Sequence, residues 1–286
     1  METKQFTAKD YKSDLKPIWC PGCGDFGVLN SIYQALATLQ VPPHKVAVVS
    51  GIGCSSRLPG YMNTYGFNSV HGRVLPVATG AKMANLDTTV IGVGGDGDGF
   101  SIGSGHIPHA ARKNIDITYI VMNNSIYGLT KGQASPTSPL GLKTKTTMYG
   151  NVEAPINPVR MMISYNTSFV ARAFSGYPKE SAEIVARAIA HKGFSFVEFL
   201  SPCPTFMGRE QFTMIREQAS FIDDSHDPSD EVAAFDIANS EDQLKLGIIY
   251  HKNRPTYTDF VRQIQKEAKH GQVAPPVIEL LKMFEP

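Results

Sequence analysis

The sequence predicts an α/β fold, a parallel sheet flanked by helices on both faces and followed by a C-terminal extension. Three observations carry this. First, apolar runs of strand length recur at 46–49, 88–93, 117–122 and 194–200. They do not alternate with polar residues, as strands buried on both faces need not. Second, helical stretches separate them. Residues 25–39 place Val28, Leu29, Ile32, Tyr33 and Leu36 at a helical period. Residues 76–85 are rich in Ala, Gly and Met, and 103–113 and 178–192 also read as helices, the last opened by Pro178 at a favourable first-turn position. Alternating strand and helix means a parallel sheet with helices on both sides. Third, glycine-rich or polar motifs follow each strand directly.

The chain has 286 residues, 42% hydrophobic and 19% charged, an ordinary globular balance. A net charge of +1 gives no field that would draw nucleic acid or an anionic membrane. No apolar run approaches the length of a transmembrane helix. Residues 1–5 lack the apolar core of a secretion signal. The expectation is a cytoplasmic protein, where thiols stay reduced and cysteines tend to bind metal or do chemistry. Residues 1–218 read as one domain and 219–286 as the extension. The acidic, Pro-containing stretch 223–231 reads as a linker, and 260–269 has weak helical patterning.

Ligands of such sheets bind beyond the carboxyl ends of the strands. Gly51-Ile52-Gly53-Cys54 follows the first strand, and the Gly-rich run 94–99 follows the second. Asn123-Asn124 follows the third, and Pro202-Cys203-Pro204 the fourth. Gly95-Asp96-Gly97 is separated from Asn123-Asn124 by residues 98–122, so both fall at neighbouring strand ends. Asp96 offers a hard carboxylate oxygen, Asn124 an amide oxygen and Ile126 a backbone carbonyl. Such an all-oxygen set suits magnesium, with phosphate oxygens and water completing the shell. The glycines let backbone approach a diphosphate and donate N–H groups. Gly128, Leu129 and Thr130 on the next loop can add hydrogen bonds. Asp98 either supports this site from behind or caps the following helix.

The four cysteines are Cys20 and Cys23 in a C-P-G-C pair, then Cys54 and Cys203 as widely spaced singles. Four thiolates fit either zinc or a four-iron four-sulfur cluster. Zinc ribbons usually show two C-x-x-C pairs, so the irregular spacing favours iron–sulfur without deciding it. Cys54 and Cys203 sit at the same sheet edge as the magnesium motif.

The Gly-Asp-Gly and Asn-Asn pair resembles the thiamine-diphosphate motif. The wider set resembles the β subunit of the 2-oxoacid:ferredoxin oxidoreductases. It comprises 19–24 (W-C-P-G-C-G), 51–57 (G-I-G-C-S-S-R), His71-Gly72-Arg73, 95–98, Asn123-Asn124 and 127–133, and the likeness runs over 16–208. The resemblance implies thiamine diphosphate, magnesium and one four-iron four-sulfur cluster. It implies Cys20, Cys23, Cys54 and Cys203 as cluster ligands, and Asp96, Asn124 and the Ile126 carbonyl as magnesium ligands. The implied reaction is decarboxylation of a 2-oxoacid and transfer of the acyl group to coenzyme A. Two electrons then pass singly through the cluster to ferredoxin. Activation of the cofactor needs a glutamate, and no Glu here stands in a strand-end or glycine-rich context; Glu198 lies within a strand and reads as structural. The resemblance therefore implies an α subunit supplying that Glu, in a dimer of αβ pairs.

Two further residues are candidates for catalysis. His71, in a polar glycine-flanked loop beside Gly72, is placed for proton transfer or cofactor contact. The resemblance associates a basic residue at the position of Arg57, three residues after Cys54, with a substrate's distal carboxylate. An Arg there can pair bidentately with it, which favours 2-oxoglutarate, with pyruvate or a broad 2-oxoacid range as the alternative. Two other classes compete: a non-redox thiamine-diphosphate carboligase or decarboxylase, and a zinc-stabilised binding subunit.

Overall fold

The computed structural model describes residues 5–240, 243–269 and 276–285. Its strands are β1 (Val46–Ser50), β2 (Tyr65–Asn68), β3 (Thr89–Gly95), β4 (Ile117–Asn123), β5 (Phe169–Phe174), β6 (Phe194–Leu200), β7 (Ala219–Phe221) and β8 (Leu244–His251). Its helices are α1 (Asp25–Leu39), α2 (Val74–Ala84), α3 (Asp96–Phe100), α4 (Ile107–Lys113), α5 (Pro158–Ser164), α6 (Pro178–Ala190), α7 (Glu210–Gln218), α8 (Glu231–Asn239), α9 (Tyr257–Lys269) and α10 (Val277–Lys282). The strands form one eight-stranded sheet in the order β2-β1-β3-β4-β6-β5-β8-β7. Every pairing is parallel except that of β5 with β8.

The apolar runs divide their side chains between two layers, as the strand period requires. In β4, Ile120 and Met122 pack with α1 and α6, whereas Tyr119 and Val121 face α2, α4 and α5. In β6, Val197 and Phe199 join the first layer and Phe194 and Phe196 the second. Burying each such side chain contributes roughly 1.5–3 kcal/mol, so the non-alternating runs are what fasten helices to both faces. The fold class is the one the sequence predicts.

The C-terminal extension continues the sheet. β8 runs antiparallel beside β5, β7 lies outside it, and Ala234 and Ala238 of α8 join the second layer. One strand is unlike its neighbours. β5 carries Arg172 at its centre, buried, with its Nε 2.7 Å from Glu198 Oε2 on β6. Glu198 Oε1 accepts from Asn123 Nδ2 at 2.9 Å, so this carboxylate is fully engaged within the sheet. Removing one member of such a buried pair typically costs about 3–5 kcal/mol.

Candidate active site

β1, β3, β4 and β6 are consecutive neighbours, and the carboxyl ends of each adjacent pair lie within two residues of one another. Ser50 pairs with Val93, Gly95 with Met122, and Asn123 with Leu200. The loops leaving these ends therefore open onto one side and wall a cavity of about 450 Å³. Its wall holds Ile52, Gly53, Cys54, His71, Gly95, Asp96, Gly97, Asp98, Asn124, Ile126, Gly128, Leu129 and Thr130. Gly51 and Gly72 stand behind the wall, against Asp98 and against the Ile102 side chain and Gly103 backbone. Cys20, Cys23 and Cys203 do not line the cavity. Arg57 does not line it either: it is exposed on the 3-10 segment Cys54–Tyr61, within electrostatic reach of the Cys54 thiol.

Asp96 opens α3 at the end of β3 and is 2% exposed. Burial pushes its carboxyl above the ordinary carboxylate range, against the pull of its hydrogen bonds. Ser135 and Thr137 both donate to its Oδ2, at 2.5 and 2.6 Å. With Oδ2 so held, the carboxylate keeps one orientation at the cavity wall. The clamp is anchored in turn, since Thr137 Oγ1 lies 2.9 Å from Asn123 Oδ1 and Asn123 is pinned on Glu198. The two asparagines thus differ in role. Asn123 joins the buried network, while Asn124 lines the cavity with its Oδ1 accepting from the Ile126 amide at 3.1 Å.

Asp98 is a tie between loops, not a helix cap. Its Oδ1 accepts from the Ile52 amide at 2.9 Å and the Gly72 amide at 2.8 Å, and stands 3.1 Å from His71 Nδ1. Gly51 is required for this. A Cβ there would sit 2.0 Å from Asp98 Oδ2, so any side chain at 51 would evict the carboxylate. His71 is thereby fixed at the cavity, its side chain 42% exposed.

The cysteines collect beside the same cavity. The Cys23 amide donates to the Cys20 carbonyl at 3.0 Å, closing the C-P-G-C turn, and Gly24 donates to the Pro202 carbonyl next to Cys203. Trp19 Nε1 donates to the Cys54 carbonyl at 2.8 Å, tying that loop to the turn. Burial is the largest cause raising Cys23, Cys54 and Cys203, and Cys54 is pushed up to about 11. Like charge adds to each: Cys23 feels Cys54 and Cys203, while Cys54 and Cys203 both feel Cys20. The four thiols therefore share one neighbourhood. Among the described residues, no three His, Cys, Asp or Glu side chains stand as close as a single metal ion requires. A Cβ at Gly128 would lie 3.6 Å from Cys54 Sγ and 3.8 Å from Cys203 Sγ, so a side chain there would fill the space beside both sulfurs.

Several residues of the site escape the sequence reading. Ser55 is among the lining residues, its hydroxyl buried and without a partner among the described residues. Asp25 also lines it; burial first pushes its carboxyl up to about 6, opposed by hydrogen bonds from Ser201 and Cys23. In sequence, Asp25 reads only as the start of a helix. Gln211 on α7 accepts from the Cys203 amide at 2.8 Å and donates to the Asn124 carbonyl at 3.2 Å, bridging the two halves of the site. No sequence signal marks it. Ser135 and Thr137 lie in the loop after Gln133, with no motif to tie them to Asp96.

Comparison with known proteins agrees with this architecture. Residues 51–199 match the model of the C-terminal TPP binding domain of thiamine pyrophosphate enzymes, which makes this a thiamine-diphosphate-binding fold. Residues 203–266 match the C-terminal model of the pyruvate ferredoxin oxidoreductase beta subunit. The chain is 37% identical to the β subunit of 2-oxoacid:ferredoxin oxidoreductase 2 of Aeropyrum pernix, over 96% of this chain and 92% of that one. It is 38% identical to 2-oxoglutarate synthase subunit KorB of Methanothermobacter marburgensis, over 91% of each. Among solved structures, it matches 2-oxoglutarate:ferredoxin oxidoreductase from Magnetococcus marinus, which has 2-oxoglutarate, coenzyme A and succinyl-CoA bound. The TM-score is 0.92 at 42% identity, covering 100% of this chain and 98% of that one. With the motifs at their strand ends and these likenesses along the whole chain, the protein belongs to the 2-oxoacid:ferredoxin oxidoreductases, as a β subunit.

Proposed function

We propose that this chain is the β subunit of a 2-oxoglutarate:ferredoxin oxidoreductase. The reaction is 2-oxoglutarate with coenzyme A to succinyl-CoA and carbon dioxide, with one proton released and two electrons passed to ferredoxin. The observation that carries the redox class is the double membership of Cys54. It lines the cofactor cavity and shares a neighbourhood with the other three cysteines. A carboligase or decarboxylase would have no use for that arrangement. The substrate follows the relatives named for 2-oxoglutarate.

Asp96, Asn124 and the Ile126 carbonyl would hold magnesium. They are oxygen donors on one wall, and the hydroxyl clamp leaves Asp96 pre-oriented. Cys20, Cys23, Cys54 and Cys203 would hold the four-iron four-sulfur cluster. Four thiols gathered beside one cavity, two of them flanking the Gly128 backbone, offer the donor set that such a cluster takes. Bound thiamine diphosphate supplies a nucleophilic carbon and an electron sink for the loss of carbon dioxide. The chain's own part is to bind, orient and exclude water. The Ser55 hydroxyl, without a partner among the described residues, would supply a hydrogen bond, and Ile52, Met122 and Leu129 give apolar wall. His71, held through its Nδ1 contact to Asp98, presents its other nitrogen for proton transfer or a cofactor contact. Arg57 acts from outside the wall, where a partner surface would bring it to the substrate's distal carboxylate.

The α subunit is proposed to supply the glutamate that activates the cofactor, in a cytoplasmic dimer of αβ pairs. Glu198, engaged by Arg172 and Asn123, is spoken for. Residues 1–218 are proposed as the cofactor-binding unit and 219–286 as its extension. The test is dye reduction by the αβ complex, co-purified without oxygen. Reduction that depends on coenzyme A and is faster with 2-oxoglutarate than with pyruvate is expected, with Arg57→Ala eroding the preference. Equal kcat/KM for both acids, unchanged in Arg57→Ala, would remove the substrate claim.

A further inference from the structure

We infer that the surface around Cys20 is the docking face for a small, acidic, one-electron iron–sulfur carrier. The inference rests on the reading of the four cysteines as cluster ligands. Their exposure is graded: Cys54 and Cys23 are half-buried, Cys203 is buried, and Cys20 is exposed. Cys54 faces the cofactor cavity, and Cys20 faces solvent. A redox group held between them has one side toward the chemistry and one toward the outside.

The outside is built for contact. The segment before Cys20 is laid down on the 3-10 segment Cys54–Tyr61. Ser13 donates to the Tyr61 carbonyl through its amide at 3.0 Å and to the Gly60 carbonyl through its hydroxyl at 2.8 Å. The Ile18 amide donates to the Tyr61 hydroxyl at 3.1 Å. So pinned, the segment leaves Leu15 57% and Ile18 67% exposed, next to exposed Pro21. Phe26, 39% exposed, stacks edge-on against buried Trp19 at 5.4 Å. Beside Phe26 a groove of about 330 Å³ has Leu29 and Tyr33 in its wall and Lys9 and Lys12 among its lining residues.

Charge selects the occupant. Lys9, Lys12 and Lys16 are exposed along this segment. Of the acids among them, Asp10 is turned back onto Thr7, accepting from its amide at 2.8 Å and its hydroxyl at 2.9 Å. Among the described residues of this segment, Asp14 is the acid left exposed with the lysines. An apolar patch rimmed by lysines fits an acidic protein with apolar surface near its own redox centre. Electrostatic steering then sets the on-rate, and a modest contact area lets the carrier leave once reduced. The two electrons from each 2-oxoacid depart as two single-electron reductions of the carrier, and no bond forms or breaks at this face.

The test uses the αβ complex carrying Lys12→Glu and Lys16→Glu together. One readout is binding of a redox-inert, gallium-substituted acidic ferredoxin at low and moderate salt. The other is substrate-driven reduction of native ferredoxin against methyl viologen, a dye that needs no docking. Affinity for the inert carrier is expected to fall roughly tenfold at low salt, with a flatter salt dependence. KM for ferredoxin should rise by a similar factor while methyl viologen reduction is unchanged. Unchanged carrier affinity and KM would overturn the inference. So would loss of the α subunit from the complex, which would make this patch a subunit seat. A wild-type complex that reduces neither acceptor would instead sink the proposed function.

Discussion

Asp96→Asn is expected to abolish magnesium-dependent cofactor binding while leaving the fold standing. A metal that neutralises a diphosphate contributes several kcal/mol to the reaction it supports. At about 1.4 kcal/mol per decade, activity of the αβ complex should fall roughly 10³-fold or more. Retention of thiamine diphosphate in equilibrium dialysis with magnesium should fall in parallel. The fold should tolerate the change, because burial already opposes the charged form of this carboxyl and an amide has the same shape. The melting temperature of the cofactor-free variant is therefore expected to match or exceed that of the parent. A graded companion isolates the clamp. Thr137→Val removes one of the two hydroxyls on Oδ2 and should weaken magnesium binding about 10–100-fold, whereas Thr137→Ser should preserve it. Unchanged magnesium dependence in both Asp96→Asn and Thr137→Val would take Asp96 out of the metal site.

Cys54→Ala carries the second large effect, and it should divide the site in two. If the four thiols hold one cluster, losing Cys54 should strip iron from the chain and remove its visible absorbance. Reduction of ferredoxin and dye should drop below detection, on the order of 10³-fold. Magnesium-dependent binding of thiamine diphosphate should survive within a few-fold, because Asp96, Asn124 and Ile126 keep their own supports. A variant that keeps its iron would show that Cys54 is a wall residue and no more. Joint loss of iron and cofactor binding would show that the cysteines shape the cavity as well.

The parts of the fold legible in the sequence were those governed by uniform burial. β1, β3, β4 and β6 are mostly apolar on both faces, β6 in spite of Glu198, so each stands out without help from its neighbours. β5 did not, because Arg172 interrupts it. That charge is tolerable only with Glu198 opposite, a partner 26 residues away that no local pattern reveals. β2 is four residues long and exposed along its length, so neither periodicity nor hydropathy marks it. β8 contains Lys245 and Gly247 and runs against the direction of β5, which the strand–helix alternation could not anticipate.

At the site, the legible residues were those with chemistry in a short motif at a strand end. Asp96, Asn124 and Cys54 met that condition, and the neighbouring carboxyl ends of four adjacent strands brought them together. What was hidden acts across long separations. Asp98 reads equally as a cap, and only the approach of the 52 and 72 amides reveals it as a tie. Gln211, Ser135 and Thr137 are ordinary polar residues in ordinary stretches. Their roles exist only once the loops after β4 and β6 have folded over the strand ends. Arg57 shows the opposite case: proximity to Cys54 in sequence did not carry its side chain into the wall, because the 3-10 segment turns it outward.

The central claim is that one chain holds the thiamine-diphosphate wall and an iron–sulfur cluster on either side of Cys54. The most direct measurement is metal and sulfide analysis of the αβ complex purified without oxygen, with a spin-resonance spectrum after adding 2-oxoglutarate and coenzyme A. About four irons and four acid-labile sulfides per β chain are expected, with a reduced-cluster signal that appears only when both substrates are present. One zinc per β chain, or an iron-free complex that still oxidises 2-oxoglutarate, would contradict the account.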